Sequence, residues 1–187
     1  MMTLIGITGT DGAGKGSVVD LLVQRYGFVH YSVRQFILEH INAAGLPQTR
    51  AQMRLTANEL RARHGNDFIV TQALIAMERD NVESAVVESI RAVAEVETLK
   101  ARGGVLLAVD ADQQIRYERI QARSSESDKV TLEEFIAQEE LEKNDPDPNG
   151  MQKAAVMELA DVTIENNGSM EELLAAVESF VKDIPNS

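Results

Sequence analysis

Gly9-Thr10-Asp11-Gly12-Ala13-Gly14-Lys15 restricts this 187-residue chain more than any other segment. It stands between Thr3–Thr8, a short apolar run that reads as a buried strand, and Gly16–Tyr26, where Val18, Val19, Leu22 and Val23 recur at helical spacing. A Gly-x4-Gly-Lys turn in that position lets the backbone fold tightly, so that successive N–H groups converge on one anion. The helix that follows points the positive end of its dipole at the same place. Lys15 adds a point charge suited to the β and γ phosphates of a nucleoside triphosphate. The segment therefore predicts a phosphate loop in which Gly9, Asp11, Gly12, Ala13, Gly14, Lys15, Gly16 and Ser17 contact the nucleotide.

Apolar runs alternate with segments of helical period along the rest of the chain, the pattern of an α/β protein with a parallel sheet. Further strands are expected at Phe28–Tyr31, Ser84–Ser89, Val105–Val109 and Asp161–Glu165. Helices are expected over Ser32–Ala44, Thr49–His64, Asp67–Arg79, a stretch ending near Ala101, Gln113–Arg123, Thr131–Lys143, Gln152–Leu159 and the segment after Ser169. Thr49-Arg50-Ala51-Gln52 has capping-box spacing, and Thr131 and Ser169 are placed to cap the helices after them. Gly45-Leu46-Pro47 stops one helix, and Asp145-Pro146-Asp147-Pro148-Asn149-Gly150 can only be a loop. Nothing reads as a linker, so residues 1–187 are expected to form one domain.

Composition removes several function classes. The absence of Cys excludes a disulfide scaffold, a thiolate zinc site and cysteine catalysis. No apolar run approaches the ~18–20 residues that cross a membrane, and the first residues lack a signal-peptide pattern, so a cytoplasmic location is expected. The net charge of −12 argues against a general nucleic-acid binder. That charge is unevenly spread. Residues 1–125 carry 14 acidic and 14 basic side chains, residues 126–187 carry 16 and 4, and every Arg lies at or before Arg123. The anion-handling equipment is thus expected in the first two-thirds.

A phosphate loop says that a triphosphate binds, not what it is used for. No Asn-Lys-x-Asp is present, which argues against a guanine-specific GTPase. A kinase for a small acceptor needs an acceptor clamp, a group near the Mg²⁺ waters and a lid carrying cations over the transferring phosphoryl. Arg116, Arg119 and Arg123, at i, i+3 and i+7, share one helix face, while Ile115 and Ile120 are expected to point elsewhere. They precede the polar stretch Ser124-Ser125-Glu126-Ser127-Asp128, which could hinge. The clamp candidates are Arg34, Arg61 and Arg91, with Arg54 behind them. Guanidinium suits both tasks because it stays charged and presents forked donors. His30, His40 and His64 are given no chemical role.

Several segments resemble one superfamily. Lys15-Gly16-Ser17 resembles the Lys-Gly-Thr ending of nucleoside monophosphate kinases such as adenylate kinase, with Gly16 where a metal-ligating hydroxyl often stands. His30-Tyr31-Ser32 resembles the His-Ile-Ser opening of their acceptor segment, and Glu88-Ser89-Ile90-Arg91 their Asp-Gly-Ile-Arg segment. Ala160–Ser169 resembles the last-strand segment of dephospho-CoA kinases and archaeal adenylate-kinase-related proteins. The resemblance implies a three-layer α/β/α fold with five parallel strands ordered 2-3-1-4-5. It implies a core of 1–31, 82–115 and 150–187, an acceptor-binding insert of about 32–81 and a lid of about 116–149.

By the same resemblance the chain would use ATP and Mg²⁺ to phosphorylate a small-molecule acceptor, a nucleoside or deoxynucleoside monophosphate, with neither nucleic acid nor membrane as partner. Lys15, Arg119 and Arg123 would be catalytic, and Arg116, Asn167 and Gly168 would join the phosphate loop in holding ATP. Ser32, Arg34, Arg61, Glu88 and Arg91 would hold the acceptor, with Ser17 and Glu88 serving Mg²⁺ through water. Departures bear on the acceptor. The family's clamp Arg falls on Leu38, so Arg34 would replace it from another place. The Asp-Arg pair of thymidylate kinases and the Gly-Gly-Gly of shikimate kinases are absent, and Val29–Ser32 stands where dephospho-CoA kinases carry Asp-x-Asp. Two alternatives stay open: a dephospho-CoA kinase-like small-molecule kinase, and a P-loop ATPase or switch docking a basic partner on Glu133, Glu134, Glu139, Glu140 and Glu142. Monomer and homodimer are equally compatible with the sequence.

Overall fold

The alternation of side chains along the first strand already divides the molecule into two cores. In the computed structural model, which describes residues 3–123, 130–143 and 145–184 apart from the side chains of Arg50 and Arg123, β1 runs Thr3–Gly9. Its neighbours are β3 (Ser84–Glu88) and β4 (Val105–Asp110), with β2 (Val29–Ser32) and β5 (Val162–Glu165) at the edges. All pairings are parallel and the order is β2-β3-β1-β4-β5, as expected. Leu4 packs with Ala85, Val87 and Leu106 on one face, and Ile5 and Ile7 with Val86, Leu107 and Val109 on the other. Being covered on both sides, β1 reads as a continuous apolar run rather than an alternating one.

Helices α1 (Lys15–Tyr26) and α9 (Met170–Asp183) cover the Ile5 face through Val18, Leu22, Leu173, Val177 and Phe180. The Leu4 face is covered by α2 (Val33–Ala43), α3 (Arg50–His64), α4 (Phe68–Asp80), α5 (Val93–Ala101) and α8 (Lys153–Glu158). Helices α6 (Gln113–Arg123) and α7 (Leu132–Lys143) follow β4. Among the described residues no helix is long and apolar enough to cross a membrane.

Helix starts follow the local signals. Ser32, Thr49 and Ser169 each accept a hydrogen bond from the backbone N–H three residues on. Ser169 and Glu172 complete a reciprocal box, and so do Thr131 and Glu134. Thr49 makes only half of the expected box, because the Gln52 side chain bonds Thr56 instead of turning back. Strand β2 begins one residue later than expected. Phe28 belongs to the end of α1, where its N–H donates to Leu22 O beyond left-handed Gly27, and its ring is buried against that helix.

Candidate active site

Five parallel strands deliver five loops to one edge of the sheet. Strand β1 leads into α1 on one face, while its neighbour β3 leads into α5 on the other. The crevice therefore opens at the carboxyl ends of β1 and β3, a topological switch point. A cavity of about 390 Å³ occupies it, within the size range of small-ligand sites. Asp11, Gly12, Gly14, Lys15 and Gly16 line one side, and Arg34, Arg54, Arg61 and Arg91 line another with Val33, Ile37, Met53 and Met151. The phosphate-loop segment and four arginines thus share one space.

The loop has little tolerance for side chains. Gly12 takes φ +84 and packs against the Arg116 backbone, and Gly14 takes φ +102 as the N-cap of α1 with the Asn166 amide against it. A Cβ at either position would collide as well as strain the backbone. Lys15 donates to Gly9 O at 3.0 Å and Thr10 O at 2.7 Å and lies 3.7 Å from Asp11 Oδ1. Burial pushes its ammonium down to about 8, although Asp11 pulls the other way. A phosphate arriving there meets a cation that burial has stripped of water.

Around the loop, two side chains of α6 and one from the end of β5 hold its carbonyl oxygens. Arg116 donates to Asp11 O at 3.2 Å, Arg119 to Ala13 O at 3.4 Å, and the Asn166 amide to Ala13 O at 2.7 Å. Thr10 Oγ donates to Asp110, whose carboxylate also accepts from Ala111 N–H at the end of β4. The ends of β4 and β5 are thereby tied to the loop.

Glu88 ends β3 on the cavity wall, with His30 Nε2 3.4 Å from its carboxylate. Burial pushes Glu88 up, but the His30 hydrogen bond and the charges of Lys15 and Arg91 outweigh it and hold the carboxyl below its ordinary value. Ser89 follows with φ +74, an uncommon conformation for a residue with a Cβ, and its N–H donates to Ile7 O at 3.0 Å. The same carbonyl accepts from Ile90 N–H, and Thr8 Oγ donates to Ile90 O. These bonds force the turn that brings Arg91 back to the loop, 3.7 Å from Asp11.

The expected residues have different fates. Arg34, Arg61, Glu88 and Arg91 meet at the cavity with the phosphate loop. Arg61 is only 2% exposed, because Glu95 takes its Nε and Nη2 while also accepting from Arg91 N–H and Ala92 N–H at the start of α5. Its Nη1 is buried without a hydrogen-bond partner among the described residues. Ser32 caps α2 and is not among the cavity's lining groups. Ser17 is half-buried in the first turn of α1, beside Gly16, which does line the cavity.

Arg116, expected to face ATP, is instead buried and ion-paired. Its guanidinium bonds Glu139 and Ala111 O and lies 5.6 Å from the Phe135 ring centroid. Ile120, expected to point away, lines the cavity. The Arg123 side chain and Ser124–Asp128 lie outside the described residues. Asn167 bonds Asp112 at both its backbone N–H and its carboxylate, and with Gly168 it borders a second, open depression beside Glu172.

Sequence reasoning passed over Asn166, Ser89, Glu95 and Lys153. The glutamates of α7 were offered to a basic partner as one set, whereas Glu139 and Glu142 are buried against Arg116 and Lys153. Their i, i+3 spacing was the available signal, because it puts both on one helix face beside Phe135.

A family model described as an AAA domain matches residues 5–146, which take in the phosphate loop, the arginine-bearing helices and β4. A UPF0200 protein of Methanocaldococcus jannaschii is 30% identical over 189 residues, covering 100% of this chain and 92% of the relative. The chain belongs to the AAA domain family and to the UPF0200 proteins. A UPF0200 protein of Methanococcus maripaludis, 28% identical and covered over 99% of both chains, agrees along the whole length. Among solved structures this UPF0200 chain superposes on TT1252 of Thermus thermophilus with a TM-score of 0.68, at 21% identity and 99% coverage of each. It also superposes on shikimate kinase of Bacteroides thetaiotaomicron with a TM-score of 0.55, at 14% identity and 97% and 98% coverage. The fold is that of the P-loop kinases.

Proposed function

We propose that this protein is an ATP-dependent phosphotransferase that moves the γ-phosphoryl group of ATP to a nucleoside or deoxynucleoside monophosphate. The observation that carries the reading is the single cavity in which the Lys15 loop faces Arg34, Arg54, Arg61 and Arg91. Hydrolysis alone needs no second cationic wall; an anionic acceptor does. In this reading the loop and Lys15 hold the β and γ phosphates. Residues 32–81 supply the acceptor insert, and residues 116–149 the lid. Arg34, Arg91 and the unpartnered edge of Arg61 hold the acceptor phosphate. Arg119 and Arg123 act over the transferring group, and the Asn167–Gly168 loop borders the base. The bond from the γ phosphorus to the β–γ bridging oxygen breaks as one to an acceptor phosphate oxygen forms, leaving ADP. That oxygen is already anionic, so no base is required.

The residues also suit a hydrated divalent ion. Mg²⁺ at such sites keeps several of its waters and leans on phosphate oxygens, so it needs few protein groups. Glu88, held ionised, and Ser17 are the side chains that would reach those waters. Bound Mg²⁺ neutralises charge on the phosphates.

The partner-docking alternative loses its strongest feature, since two of its five glutamates are buried in ion pairs. A panel of nucleoside and deoxynucleoside monophosphates, with dephospho-CoA included, tests the reading. ADP should form rapidly with one acceptor or a narrow set. Slow hydrolysis indifferent to every acceptor would sink it.

A further inference from the structure

Lys153 is the only Lys or Arg between Lys143 and Lys182, and it is 7% exposed at the start of α8. A lysine is almost never so buried without a charge partner. Its ammonium lies 3.3 Å from Asp11 Oδ2 and is bonded to Glu142 Oε2. The other oxygen of Asp11 is 3.7 Å from Lys15 Nζ and 3.7 Å from Arg91 Nη2. Among the described residues, one carboxylate inside the phosphate loop thus collects three cations, delivered by α1, the end of β3 and α8.

The placement of α8 is specific. Gln152 N–H donates to Arg91 O at 2.8 Å, the Gln152 side chain accepts from Val93 N–H at 3.2 Å, and Val156 is buried against the sheet. Lys153 is thereby fixed relative to Arg91. Its charge also acts on Lys15, adding with that of Arg91 to the burial that lowers the Lys15 ammonium.

We propose that Lys153 is a third phosphate-binding cation of this site, held by Asp11 and Glu142 and passed to the terminal phosphoryl group when that group enters the cluster. The inference rests on the nucleotide reading above. A terminal phosphoryl carries more charge than one carboxylate and presents three acceptor oxygens, so it can displace Asp11 from Lys15 and Lys153 while Arg91 turns to the acceptor phosphate. Glu142 stays with Lys153 throughout and keeps its buried ammonium paired.

The test is calorimetric titration of Mg-ATP and Mg-ADP into the wild type, Lys153→Arg, Lys153→Met and the double variant Lys153→Met/Glu142→Gln, with thermal melts of each without nucleotide. Lys153→Met should weaken ATP about 10- to 100-fold, the worth of one charge-assisted hydrogen bond, and ADP about twofold or less. Lys153→Arg should restore most of the ATP affinity. The double variant removes both members of the buried pair and so leaves no orphaned carboxylate. It should remain folded and still lose the preference for ATP. Equal losses for ATP and ADP, or unchanged ATP affinity in a folded double variant, would overturn the proposal and leave Lys153 a tie between α7, α8 and the loop. A wild type that binds neither nucleotide would overturn the nucleotide reading itself.

Discussion

Ser89 takes a left-handed φ of +74 at the point where β3 turns toward the phosphate loop. Ser89→Gly should raise stability by up to about 1 kcal/mol, the relief of left-handed strain less the added freedom of the unfolded chain. Urea denaturation measures it, and a loss of stability would mean that the hydroxyl contributes more than the strain costs. At this scale the sequence was uneven. Lys15 and its glycines were legible because their spacing encodes a backbone shape, and Arg91 because it stands just past a strand end. Ser89 and Asn166 were not, since nothing in a Ser or Asn codes for a positive φ or for a bond to a carbonyl 153 positions away. Lys15 carries a pH prediction. Below about 8 it is charged in both the folded and the unfolded chain. Between about 8 and its ordinary value of 10.5 the folded protein releases the proton first, so Lys15 makes stability rise with pH across that window. Phosphates favour the charged form, so nucleotide affinity should fall as pH rises through 8. Lys15→Met should remove its share of the stability rise in nucleotide-free melts; an identical pH profile in that variant would contradict the assignment.

Helix α7 buries Phe135, Glu139 and Glu142 and exposes Leu132, Ile136 and Leu141, the reverse of the usual arrangement. The reason lies in its neighbours. Arg116 on α6 and Lys153 on α8 need counter-charges where they pass the phosphate loop, and α7 supplies one to each. Periodicity predicted the helix and its Thr131 cap correctly, but pattern reading assigns glutamates to water because unpaired burial is so costly. Only the tertiary partners reveal the exception. Glu139→Gln should destabilise by about 3 kcal/mol because it takes from buried Arg116 its bidentate counter-charge and leaves only the more distant Asp110 carboxylate at 3.8 Å. Glu140→Gln, at an exposed position paired with Lys143, should stay within about 0.5 kcal/mol. Equal effects in thermal melts would refute the buried-pair account of α7.

Across the whole molecule, the alternation of apolar runs and helical segments made a parallel sheet readable, whereas the strand order came from the resemblance of the Lys15, Glu88 and Ala160–Ser169 segments to nucleoside monophosphate kinases and dephospho-CoA kinases. The charge distribution was readable too, but its meaning shifts. The acidic last third is more than an outer surface, for it sends Glu139 and Glu142 inward and contributes Lys153 to the loop. The acceptor's identity was not legible, because it depends on how Val33, Ile37, Met53 and Met151 shape the wall beside the arginines. Both substrates share one cavity in the proposed reaction, so the γ-phosphoryl group passes directly from one to the other. Following the label of γ-³²P-ATP in the presence of the acceptor that most stimulates ADP formation tests it directly. The label should appear on the acceptor in step with ADP, and Arg91→Ala should abolish most of that transfer. Label released only as inorganic phosphate, at a rate the acceptor does not change, would contradict it.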